Sequence, residues 1–172
     1  MSFKHLSFPV ICASLILCSL APDLSAQQKK APKIVLQDPE LYYAFLRAHN
    51  DVDMKLQSSS APAAAQISAS TAVLYNINPA DLPNLTAEVR KFNVNLGAWY
   101  LNVQQYLATQ RAAKKPPDIK TLVNYQRQRQ RLVMTAHGGI HAALTPASWT
   151  GLYGYINGSF KSSLGHAAGG GK

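Results

Sequence analysis

Charge is scarce in this chain. Asp, Glu, Lys and Arg make up 15% of its 172 residues, against roughly 25% in ordinary soluble globular proteins. Acids are the scarcer sign, 8 against 17 basic residues, so the net charge is +9. Cysteine is nearly absent: Cys12 and Cys18 are the two in the chain, and both lie within its first 20 residues. Ten glycines without a period exclude a collagen-like chain, and a 47% hydrophobic share excludes a wholly disordered one. The length suits one domain of ordinary size.

The N-terminus has three parts. Lys4 and His5 form a basic start, Phe8 to Leu20 is an apolar run without charge, and Pro22, Asp23 and Leu24-Ser25-Ala26 follow. This is the pattern of a secretory signal peptide. An apolar run of 13 positions is too short to span a bilayer of roughly 30 Å. The pattern predicts a signal peptide over 1–26, cleaved between Ala26 and Gln27, and a secreted or periplasmic protein; an uncleaved anchor is the alternative. Both cysteines leave with the signal. The mature chain then has no disulfide, no thiolate nucleophile and no cysteine metal ligand. Removing residues 1–26 from 172 leaves 146 residues with 16 basic and 7 acidic, enough chain to hold a core without disulfides.

The mature sequence reads as helices. Residues 27–37 form a polar basic leader, expected to be flexible. Asp38-Pro39-Glu40 opens a helix, with a capping carboxylate, a proline in the first turn and an acid near the positive helix end. Leu41, Phe45, Ala48, Val52 and Leu56 then repeat at helical spacing up to Ser58-Ser59-Ser60. Residues 61–75 are alanine-rich and read either as a helix opened by Pro62 or as a linker. Asn78-Pro79-Ala80-Asp81 starts another helix, whose first residue Pro83 makes ambiguous. Leu85, Val89, Phe92, Leu96, Trp99, Val103 and Tyr106 follow at alternating spacings of 4 and 3, a three-heptad stripe running to about Ala113. Lys114-Lys115 suit its negative end, and Pro116-Pro117 stop it. Asp118 caps the next helix, in which Gly138-Gly139 predicts a break or bend. Thr145-Pro146 opens a last helix through Trp149, Leu152, Ile156 and Phe160 to about Ser163, and 165–172 is a glycine-rich tail, expected to be flexible. No stretch alternates with period two. The expected fold is all-α: an antiparallel bundle of four to five helices over 38–164.

Chemistry is harder to find. Asp38, Glu40, Asp81 and Asp118 sit at helix starts, and Glu88 with Lys91 makes a surface pair. Asp51 and Asp53 have no such role, but two residues apart they face different sides of a helix. No Gly-x-Ser-x-Gly elbow, dinucleotide fingerprint or phosphate loop is present. His137 and His141 share a helical face and form the one metal-like pair, with His49 or His166 as a possible third ligand; one histidine at the surface and one in the packing is the plainer reading.

Three features point to partners. Arg127, Arg129 and Arg131, with Lys114 and Lys115, are candidate anion contacts, although Arg129 points about 160° from the other two. From Leu132 to Phe160 no residue is charged, and Ala147, Gly151, Gly154 and Gly158 form a small-residue stripe. Trp99, Trp149, Gly151, Gly154 and Gly158 are therefore candidate interface positions, for self-association or membrane contact, against burial in the bundle. The expectation is a small secreted, non-enzymatic helical protein without a cofactor. It would bind an envelope protein, an anionic polymer or a membrane surface, and nucleic acid is not expected. A histidine metal-binding protein and a hydrolase with an unrecognised site are the alternatives.

Overall fold

The computed structural model describes residues 38–169, and their side chains over 39–165. The expected signal peptide and leader (1–37) lie outside the described residues. The chain is all-α: α1 (Asp38–Ser58), α2 (Ala61–Tyr75), α3 (Leu82–Ala112), α4 (Ile119–Ala143), α5 (Pro146–Tyr155) and α6 (Lys161–Gly169), with no strand among the described residues. The alanine-rich stretch 61–75 is a helix.

Local chemistry sets the helix ends. The Asn78 side chain accepts from the Ala80 N–H and opens a 3-10 turn, Pro79–Asp81. This turn resolves the ambiguity of Pro83. Leu82 and Pro83 become the first two residues of α3, where no intrahelical N–H is required. Asp118 caps α4 by accepting from the Thr121 N–H at 2.9 Å. Thr145 caps α5, with Pro146 directly after it. Helices α2 and α3 both end in paired reverse hydrogen bonds around a left-handed residue. Ile77 N–H donates to the Ala72 carbonyl and Asn76 N–H to Val73, with Asn76 at φ 55°. Lys115 N–H donates to Gln110 and Lys114 N–H to Arg111, with Lys114 at φ 53°. Asparagine tolerates that conformation; lysine adopts it at a cost of roughly 1 kcal/mol or more.

Two expectations about shape need correcting. The pair Gly138-Gly139 produces no break, because α4 runs unbroken to Ala143. Gly139 lies where a Cβ would stand 2.6 Å from the Glu88 carboxylate of α3. The roughly 1 kcal/mol propensity cost of each glycine does not interrupt the helix. The last helix also continues past Ser163. A π-helical stretch, Ile156–Phe160, joins α5 to α6, which reaches Gly169 into the expected tail. Within the stretch, the Asn157 side-chain amide donates to the Tyr153 carbonyl four residues back, competing with the regular backbone bond.

The core is drawn from several helices. Leu41, Phe45 and Leu46 of α1, Leu85, Val89, Phe92 and Leu96 of α3, Val133, Ala136 and Ile140 of α4, and Leu152 and Ile156 are all buried. The Phe45 ring meets Tyr75 of α2 at 5.4 Å and Phe160 at 5.8 Å in edge-on contacts. The α3 stripe is buried over its first four positions and only half-buried at Trp99, Val103 and Tyr106. The buried face of α1 is rotated from the one the spacing predicts. It contains Tyr42, Leu46, His49 and Asp53, while Ala48, Val52 and Leu56 are half-buried. Side-chain pairs Tyr43–Tyr100, Asn50–Asn93 and Asp53–Arg90 run in opposite order along α1 and α3.

Candidate functional site

The turn between α3 and α4 is an exposed basic stretch. Every residue from Arg111 to Lys120 is exposed, among them Arg111, Lys114, Lys115 and Lys120. Asp118 is the acid of this stretch, and its carboxylate is turned back on Thr121, accepting from the backbone N–H at 2.9 Å and the hydroxyl at 2.8 Å. Those two bonds, the hydroxyl's first, hold its carboxyl below the usual carboxylate range. The Tyr106 hydroxyl accepts from the Asp118 N–H at 2.7 Å, and Tyr106 packs on Tyr125 at 5.7 Å. These contacts, two prolines and the left-handed Lys114 hold the turn in one shape. Lys114 and Lys115 thus belong to one basic locus, together with Arg111 and Lys120, which the sequence reading did not include.

The three arginines of α4 divide as their spacing predicts. Arg127 and Arg131 are exposed. Arg129 turns toward α1, where it pairs with Glu40 at 2.6 Å and lies over the Tyr43 ring at 4.9 Å. It is thereby set apart from Arg127 and Arg131, with a carboxylate and a ring face already against its guanidinium. Tyr43 in turn bonds to the Tyr100 hydroxyl at 2.9 Å; burial first, then this bond, push its hydroxyl up to about 12.

The histidines part company. His137 lies edge-on between Tyr42 (4.5 Å) and Trp149 (5.0 Å), and His141 meets the same Trp149 at 4.8 Å. Among the described residues no group of three or more histidines and carboxylates gathers. His49 is corrected as a third ligand. It is wholly buried, and its ring nitrogens bond to the Thr86 hydroxyl at 3.0 Å and the Tyr75 hydroxyl at 3.3 Å. The side chain of His166 lies outside the described residues.

The interface candidates also divide. Trp99 donates its indole N–H to the Tyr125 carbonyl at 3.0 Å and packs on Tyr100, so α4 already takes up its polar edge. Gly151 is buried beneath the end of α2, where a Cβ would come 1.8 Å from the Asn76 carbonyl oxygen. Its role is internal, since only glycine lets α2 and α5 approach so closely. Gly154 and Gly158 face open space. Gly154 lines a shallow groove of about 390 Å³ with Leu74, Tyr155 and Ser159. Trp149 is half-buried, bracketed by the two histidines.

One polar cluster, in which Asp53 and His49 are buried and Arg90 and Gln57 are exposed, has no counterpart in the sequence beyond the unexplained Asp53. Arg90 donates two bonds to the Asp53 carboxylate, at 2.8 and 2.7 Å, and Gln57 a third at 3.0 Å. Arg90 is the main cause that holds the Asp53 carboxyl below its ordinary range. Burial pushes the nearby His49 down to about 4, against a weaker opposing pull from Asp53. The cluster ties α1 to α3, and a neutral His49 suits its two hydroxyl partners. No known protein family, curated protein or solved structure matches this chain.

Proposed function

We propose that this is a small exported, non-enzymatic helical protein that binds an anionic partner of the cell envelope through its α3–α4 turn. The observation that carries the reading is the exposed run Arg111–Lys120, with four cations and one acid whose carboxylate is engaged by Thr121 at the start of α4. Lys114 adds weight. A glycine at its left-handed position would be less strained, so its side chain, not its backbone, accounts for a lysine there. Export rests on the three-part start of the sequence, and N-terminal sequencing of the exported protein should begin at Gln27. The reversed order of the α1–α3 pairs supports an antiparallel arrangement of the bundle.

The test is binding of the purified protein to inorganic polyphosphate across a salt series. Four cations in contact should give a log–log salt slope of roughly −3. Lys114→Gly should weaken binding several-fold while raising stability by about 1 kcal/mol, as the left-handed strain is relieved. Absence of binding at low salt, or binding unchanged when all four cations become glutamine, would overturn the reading.

A further inference from the structure

We infer that the partner is an anionic bilayer, on which the α3–α4 turn docks with its lysines among the headgroups and Ile119 in the acyl boundary. This rests on the anion-binding reading above and names its partner. Ile119 is the first residue of α4 and is 75% exposed; Val123, one helical turn on, is 39% exposed. The two side chains share a face and form an apolar ridge. Pro116 and Pro117, also exposed, precede it. Lys114, Lys115 and Lys120 lie around the ridge in sequence.

Scattered exposed apolar residues need no explanation. This ridge differs because it stands inside an exposed basic stretch, on a turn held by Tyr106, Asp118 and the caps of α3 and α4. A soluble polyanion would engage the cations and leave the ridge in water. A folded protein partner would need roughly 20–30 residues on this side, and the turn offers about ten. A bilayer needs no such area. It takes a small apolar protrusion at the acyl boundary and cations at an anionic surface, and it requires no matching shape. Among the described residues no helix is long and apolar enough to cross a membrane, so the contact is with the surface.

The experiment is co-sedimentation of the purified protein with vesicles of phosphatidylcholine alone, or with about 30% phosphatidylglycerol added to supply anionic charge, with polyphosphate binding measured in parallel. The expected result is binding to the anionic vesicles and not to the neutral ones, weakening with salt. Ile119→Ser should lower vesicle affinity about tenfold and leave polyphosphate affinity unchanged. Ile119 is exposed, so this variant should fold; circular dichroism checks it. Equal vesicle affinity of Ile119→Ser and the parent would overturn the insertion. Polyphosphate binding without vesicle binding would overturn the bilayer as partner while leaving the anionic reading standing. Binding to neither would end both.

Discussion

Gly151→Ala is expected to destabilise the protein by about 3 kcal/mol, near the upper end for overpacking a well-filled site. The added methyl would stand 1.8 Å from the Asn76 carbonyl oxygen and 2.9 Å from its carbon. Both atoms are backbone, so no rotamer change relieves the clash. Asn76 itself is held by the hydrogen bonds that end α2, so α2 and α5 must separate or α2 must lose its last turn. Alanine's better helix propensity, worth about 1 kcal/mol, offsets only part of this. Gly154→Ala is the matched control: it sits three residues on in the same helix, with nothing within 4 Å of the added methyl. It should gain roughly 1 kcal/mol. Thermal unfolding compares them, with a drop of about 10 °C expected for Gly151→Ala and a rise of a few degrees for Gly154→Ala. Equal behaviour of the two variants would mean that α2 and α5 do not meet as described.

Acid is expected to weaken the fold well above the pH at which ordinary carboxylates titrate. His49 is buried, and burial lowers it from 6.5 to about 4. The folded protein therefore keeps the ring neutral where the unfolded chain already binds a proton. Its stabilising contribution is complete above about pH 6.5 and is lost progressively as pH falls toward 4, by roughly 3 kcal/mol in all. The Tyr75 and Thr86 hydroxyls could each accept from a charged ring, so the cost is the burial of the charge and not a lost hydrogen bond. Asp53 acts in a lower window: its carboxyl is depressed mainly by Arg90, so its contribution holds above the ordinary carboxylate range and fades below it. Urea unfolding from pH 7 to pH 4 should show the His49 slope in the parent and a much flatter one in His49→Gln, whatever that variant costs at neutral pH. An identical slope in both would remove His49 from the account.

Much of the secondary structure was legible because it depends on neighbours within a few residues. The capping chemistry of Asp118 and Thr145, the proline starts and the stop at Pro116-Pro117 act over one turn of chain, and the structure keeps them. The pairing of Glu88 with Lys91 was legible for the same reason. The α3 stripe read correctly as a buried face at Leu85, Val89, Phe92 and Leu96. The α1 spacing misled because two core-facing positions, His49 and Asp53, are polar. Apolar periodicity cannot register a polar residue whose partners, Tyr75, Thr86 and Arg90, lie 26 to 37 positions away.

The same division holds for the candidate site. The basic residues and prolines of the α3–α4 turn are visible in the chain, and so is the angle separating Arg129 from its neighbours. That Asp118 bonds back to the Thr121 hydroxyl, that Lys114 is left-handed and that Ile119 stands in water are properties of the folded turn.

By itself, the sequence determined that this chain is helical, where most of its helices begin and end, and that a proline stop separates the two longest. These follow from caps, prolines and periodicity, which are short-range. Only the tertiary structure decided that Gly151 is a contact point and Gly154 is not, that Arg129 is tied to Glu40, and that His49 is a buried hydrogen-bonding partner rather than a metal ligand. Each depends on which distant backbone or side chain arrives within a few ångströms, and spacing along one helix carries no record of that.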